Sequence, residues 1–186
     1  MSFVSDKITS KTTYYKPGFE PDFVIPEQYT AYRFALGKTG NNPLVAMCMN
    51  PSAAKDTSSD TTVNRIINVC QKLSLDGWAV FNLYPERATK AEKMEDFRQD
   101  LLDENLKIIR NYLIENNISE VWGAWGDNRW KIKALDEGKR QVQSMLSEMG
   151  IKIFYFGSLT RLGNPRHPIQ RHETWDFTEK KYLVLG

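Results

Sequence analysis

Leu44-Val45-Ala46-Met47-Cys48-Met49, followed at once by Asn50-Pro51-Ser52, is the stretch on which the fold of this chain turns. It is a short unbroken apolar run between the turn residues Lys38-Thr39-Gly40-Asn41-Asn42 and Asn50-Pro51. Such a run reads as a strand covered on both faces. Pro51 has no amide donor and biases Asn50 away from helix, so the strand ends there.

Reading outward toward the C-terminus, a polar loop runs from Ser52 to Asp60. Asp60, Thr61 or Thr62 then caps a helix whose apolar stripe is Val63, Ile66, Ile67, Cys70 and Leu73. Gly77 ends that unit, and Trp78-Ala79-Val80-Phe81-Asn82-Leu83-Tyr84 forms a second strand closed by Pro85. A long helix is expected from about 90 to 116, carrying Met94, Phe97, Leu101, Ile108, Ile109, Tyr112 and Leu113. A third strand runs through Val121-Trp122-Gly123-Ala124-Trp125, and a helix follows from about 130 to 149. Gly150 stops that helix, and Ile151-Lys152-Ile153-Phe154-Tyr155-Phe156 makes a fourth strand. Toward the N-terminus, Tyr32, Phe34 and Leu36 alternate with Arg33, Ala35 and Gly37, the pattern of a half-exposed strand. Residues 1–28 are polar and proline-bearing and read as an irregular arm, leaving residues 29–186 as a single α/β domain. Alternation of strands and helices predicts a three-layer α/β/α sandwich around a short, mainly parallel sheet.

Bulk composition fits one domain: 186 residues, 41% hydrophobic and 26% charged. With 25 basic and 23 acidic residues, the net charge of +2 neither demands nor excludes nucleic acid. Aromatic residues make up 12% and need a core or a ligand platform to cover them. Cys48 and Cys70 both fall in apolar segments and read as buried free thiols; no Cys/His spacing suggests zinc. No metal and no cofactor are expected. The phosphate-binding glycine motifs and the GxSxG elbow are missing. The N-terminus lacks the apolar core of a signal peptide. No apolar run approaches the roughly 20 residues a membrane span needs, so no membrane partner is expected and the cytoplasm is the default location.

Ligands of open parallel sheets bind beyond the carboxyl ends of the strands. Asn50-Pro51-Ser52 ends the first strand, Asn82 and Tyr84 lie at the end of the second with Arg87 beyond, and Trp125-Gly126-Asp127-Asn128-Arg129 ends the third. The fourth leads to Gly163-Asn164-Pro165-Arg166-His167-Pro168. Each has an ordinary explanation: Asn50 as a turn former, Trp125 as core, His167 and His172 as solvated loop or surface residues. Asn82 is the hardest to explain so, because a buried amide needs partners. Ser52 with His167 imitates a nucleophile pair, but Pro51 is a poor neighbour for an elbow and no orienting acid is evident.

The motifs Met49-Asn50-Pro51-Ser52-Ala53, Asp60-Thr61-Thr62-Val63, Phe81-Asn82-Leu83-Tyr84 with Arg87-Ala88-Thr89, Ala124-Trp125-Gly126 and Pro165-Arg166-His167-Pro168 resemble a bacterial and phage family, domain-of-unknown-function family sixteen forty-three. The resemblance covers residues 32–168 and implies no settled activity. The order of the motifs is also similar to that of the uracil-DNA glycosylase superfamily. In that superfamily Asn-Pro follows a buried strand, an Asn on a middle strand reads a flipped pyrimidine, a later strand ends in Trp-Gly, and the last motif is His-Pro-Ser. Here Asn50-Pro51, Asn82, Trp125-Gly126 and His167-Pro168 stand in those places, with Ile169 where the Ser would be. The first motif also lacks the carboxylate of the most active branches.

This similarity implies hydrolysis of an N-glycosidic bond on a base in nucleic acid or a nucleotide. Asn50 and His167 would be catalytic. Pro51, Ser52, Asn82, Tyr84, Arg87, Trp125, Asn128, Arg129 and Arg166 would bind substrate. The alternatives are a non-catalytic nucleotide- or nucleic-acid-binding module of the same fold and a regulatory interaction protein.

Overall fold

The computed structural model of the chain describes residues 13–88, 93–169 and 174–184. Among these residues ten elements follow in the order β1 (Phe23–Ile25), β2 (Ala35–Lys38), β3 (Pro43–Cys48), α1 (Thr61–Lys72), β4 (Gly77–Asn82), α2 (Gln99–Glu115), β5 (Glu120–Gly123), α3 (Lys133–Glu148), β6 (Lys152–Tyr155) and β7 (Lys181–Tyr182). They build a mixed α/β structure around a seven-stranded sheet in the order β1-β2-β4-β3-β5-β6-β7. The middle strands β4, β3, β5 and β6 run parallel, and β1, β2 and β7 add antiparallel at the edges. No helix among the described residues is long and apolar enough to cross a membrane.

The apolar run at β3 is buried from Pro43 to Cys48. Leu44, Ala46 and Cys48 face one side, against Val63, Ile66, Ile67 and Cys70 of α1. Val45 and Met47 face the other, with Ile109 and Leu113 of α2 and Val142, Met145 and Leu146 of α3. The period of two sends alternate residues into two separate cores, which is why neither face tolerates a polar residue. Most of the tryptophans serve these cores: Trp78, Trp122, Trp125 and Trp175 are buried, and Trp130 is exposed.

Several sequence expectations change. The segment around Tyr32–Leu36 is not half-exposed: Arg33 through Leu36 are all buried. β2 lies between β1 and β4, with Leu36 in one core and Ala35 in the other, so solvent reaches neither face. Within the N-terminal segment read as irregular, Phe23–Ile25 forms a strand. The second helix starts at Gln99 rather than near 90, a position outside the described residues. The amides before it are engaged elsewhere: Glu95 N–H donates to Glu86 Oε1 at 2.8 Å and Arg98 N–H to Tyr84 Oη at 3.0 Å.

β3 sends its chain to α1 on one face and then to β4 on one side; β5 lies on the other side of β3 and leads to α3 on the opposite face. Where successive connections leave in opposite directions, the strand ends part and a crevice opens. That crevice is bordered by the residues after β3 and β5.

Candidate functional site

A cavity of about 490 Å³ occupies this crevice, within the range of small-molecule sites. Seven residues singled out from the sequence line it: Asn50, Ser52, Asn82, Trp125, Arg129, Arg166 and His167. Arg33, Asp60, Thr62, Asp127, Thr160 and Ile169 line it as well.

Asn82 is the last residue of β4 and 1% exposed. Neither its amide nitrogen nor its amide oxygen has a hydrogen-bond partner among the described residues. Its backbone carbonyl accepts from Asn105 Nδ2 of α2 at 2.9 Å, which ties the strand end to the helix behind it. A buried amide with both ends unpaired costs about 1–3 kcal/mol for each missing bond. On the cavity wall, such an amide is a group for which an occupant could supply the partners.

Asn50 is the opposite case. Its Nδ2 donates to Ala88 O at 2.8 Å and to Pro51 O at 3.2 Å. Two carbonyls at the nitrogen fix the amide orientation, since a flip would set oxygen against oxygen. No described residue donates to the amide oxygen, which is left as an oriented acceptor. Asn50 is in turn placed by the junction of β3 and β4, where Leu83 N–H donates to Cys48 O at 2.9 Å.

His167 reaches the cavity through the loop after β6. Its Nδ1 accepts the Ile169 N–H at 3.2 Å. In the neutral ring the proton therefore sits on Nε2, and the ring is a donor. Burial pushes the imidazole pKa below its ordinary value, outweighing the opposing pull of Asp60. Gly126 makes room for this loop. It adopts φ +70°, and a Cβ there would stand 3.2 Å from His167 Cβ. Gly126 N–H also donates to Pro165 O at 2.9 Å, pinning the His167 loop to the end of β5.

Other lining groups are already engaged. Asp60 caps α1, accepting from Val63 N–H through Oδ1 at 2.9 Å and from Ala54 N–H through Oδ2 at 3.2 Å. Asp127 Oδ1 accepts from Thr160 Oγ1 and from Asn164 Nδ2, each at 2.7 Å. Arg166 donates through Nε to Ser158 O at 3.1 Å and through Nη2 to Leu159 O at 3.3 Å. Trp125 forms wall and core at once, with Nε1 donating to Asn164 Oδ1 at 3.4 Å.

Four residues named from the sequence are not among the lining residues. Tyr84 is fully buried behind the strand end, packed with Phe97 and donating from its hydroxyl to Arg98 O, so it offers no stacking face. Arg87 is held by the carbonyls of Ser52 and Ala54 and lies over the Tyr29 ring. Asn128 accepts the Ile132 N–H at 3.1 Å and donates to Asp136, which serves the start of α3. Pro51 is buried, and its carbonyl accepts from Ala88 N–H at 3.0 Å. His172 lies outside the described residues.

Arg33 is one of the lining residues that sequence reasoning missed. Its place in an alternating pattern suggested a solvent-facing position, but its backbone N–H donates to Pro85 O at 2.8 Å and its Nη1 to Ala54 O at 2.7 Å, which hold it inward. Asp60 was legible as a helix cap, but its place on the cavity wall was not.

A family model described as protein of unknown function (DUF1643) matches residues 33–169. The chain belongs to the DUF1643 family. The match runs from Arg33 to Ile169 and so contains every residue that lines the cavity of this DUF1643 protein. No curated protein and no solved structure was found to match the chain. No cluster of His, Cys, Asp or Glu suited to a metal ion occurs among the described residues.

Proposed function

We propose that the cavity seats a nucleobase and that the protein hydrolyses its N-glycosidic bond, in the manner of a uracil-DNA-glycosylase-like enzyme. The observation that carries this reading is the buried Asn82 amide, unpaired at both ends on the cavity wall. An adjacent donor and acceptor match the edge of a pyrimidine, which offers an acceptor beside a donor. Trp125 supplies an apolar wall beside it.

The rest of the site fits that chemistry. In N-glycoside hydrolysis a water oxygen bonds to the sugar carbon, the carbon–nitrogen bond breaks, its electron pair leaves with the base, and the departed base takes up the proton that the water releases. Asn50 presents an oriented acceptor that holds the water; an amide positions the water rather than deprotonating it. His167, neutral with its proton on Nε2, donates a hydrogen bond to the anion developing on the base. Ile169 departs from the His-Pro-Ser pattern, yet it orients the ring through its backbone N–H, which the side chain does not affect. Arg129 and Arg166 stand at the rim, where phosphates would pass. If the substrate is a duplex, the base must first be flipped out.

One observation favours a second reading, binding without hydrolysis. Asp60 accepts backbone N–H groups through both oxygens and Asp127 is tied through Oδ1 to Thr160 and Asn164, so both lining carboxylates are already engaged in holding the cavity walls. Incubation with uracil-bearing or modified oligonucleotides and nucleotides, with released base quantified, separates the two. Hydrolysis predicts base release that is lost in Asn50→Ala and His167→Ala. Ligand affinity that depends on Asn82 without any released base would establish the binding module. Base release unchanged in both variants would remove the proposed catalytic roles.

A further inference from the structure

Arg33 is a buried charge for which base recognition has no use. It is 2% exposed and lines the same cavity as Asn82. Its Nη1 donates to Ala54 O at 2.7 Å, and its Nε has no partner. Arg87 stands beside it, donating to the same carbonyl at 3.0 Å, also with an unpartnered Nε. Neither guanidinium is in an ion pair among the described residues. The acidic neighbour acting on Arg33 is Asp60, whose carboxylate is committed to capping α1. Two guanidiniums against one carboxylate leave an excess positive charge where water is largely excluded. Burial and the adjacent Arg87 bring Arg33 down to about 10, so it stays protonated at neutral pH while only partly compensated. A buried cation whose charge is not fully balanced is unfavourable, and an incoming anion relieves it.

The first turn of α1 borders the same space through Asp60, Thr62 and Val63. Asp60 takes the Val63 amide, while the amides of Thr61 and Thr62 donate to no described residue. Free amides at a helix N-terminus, next to a guanidinium with an open Nε–H, form the donor set that phosphate oxygens accept.

We propose that the occupant carries a terminal phosphate seated against Arg33 and the first turn of α1, so that the ligand class is a nucleoside monophosphate. This rests on the nucleobase reading of Asn82. Asn82 and Arg33 are 1% and 2% exposed. Base and phosphate are then both enclosed, whereas a phosphodiester must continue out of the protein in two directions. A monoester ends at the guanidinium.

The test is equilibrium binding of uridine, uridine monophosphate, inorganic phosphate and a uracil-bearing single-stranded oligonucleotide to the full chain and to Arg33→Gln. The expected result is that the monophosphate binds about tenfold or more tighter than uridine, the scale of one charge-assisted contact. Arg33→Gln should remove that advantage, so that uridine and its monophosphate bind alike in the variant. Equal affinity for uridine and its monophosphate would overturn the phosphate seat while leaving the nucleobase reading intact. Phosphate binding with no preference for a nucleoside would overturn the nucleobase reading and the nucleotide with it. Tighter binding of the oligonucleotide than of the monophosphate would overturn the terminal phosphate. Should Arg33→Gln fail to fold, the ratio measured on the unaltered chain decides the question alone.

Discussion

At position 82 a polar side chain ends a strand that is otherwise apolar, and none of the described residues satisfies it. Stability alone does not explain such a residue, because an apolar side chain of the same shape would avoid the desolvation cost. Asn82→Leu is therefore expected to hold or raise stability, by up to about 1 kcal/mol, while abolishing ligand binding. Thermal unfolding and binding measured on one preparation check both halves; a large loss of stability would give Asn82 a structural role. His167 makes a second prediction. Its folded-state pKa is depressed by burial, so the folded ring resists the proton that the unfolded ring accepts. As pH falls through about 6.5 the unfolded chain binds more protons and stability declines, until the folded ring is protonated too. The melting temperature should drop between about pH 7 and pH 5, and His167→Gln should flatten that drop. Identical profiles in the two proteins would exclude His167 as the source.

Elements matter here chiefly by where they end. β3, β4 and β5 each stop at the same edge, and each termination delivers one component: an oriented acceptor, an unpaired amide, and a glycine that admits the His167 loop. The last is the most constrained. Gly126→Ala places a Cβ in the left-handed region, at a cost of about 1–2 kcal/mol, with His167 as its nearest contact. The variant should melt earlier and also lose the pH sensitivity assigned to His167, because the loop that carries the ring has to move. A variant that melts earlier with the pH term intact would show that Gly126 serves the turn alone.

Across the whole molecule, two cores on opposite faces of one sheet absorb most of the apolar residues and both thiols. Cys48 and Cys70 are free and buried, and burial raises their pKa to about 12 and about 11. Thiolate is the reactive form, so native protein at neutral pH should resist a thiol reagent and react at both positions once denatured. Fast labelling of the native chain would mean that the sheet opens readily at β3 or α1.

How much of this was legible in the chain follows from the range of each signal. Val-, Ile- and Met-rich runs closed by Gly or Pro, and stripes such as Val63, Ile66, Ile67 and Cys70, are local, and they determined β3, α1, β4, β5, α3 and β6. The rule that ligands gather at the carboxyl ends of parallel strands then brought Asn50, Asn82, Trp125 and His167 to one edge. Tertiary structure alone decided the remainder. β1 and β7, three and two residues long, carry too little pattern of their own and exist because a sheet edge accepts them. Arg33 is held inward by the carbonyls of Ala54 and Pro85, which belong to segments far from it in the chain. Tyr84, Arg87 and Asn128 sit at rim positions in sequence, but nearby backbone groups claim them. A side chain's surroundings depend on which distant segments pack against it, and periodicity along one segment holds no record of that.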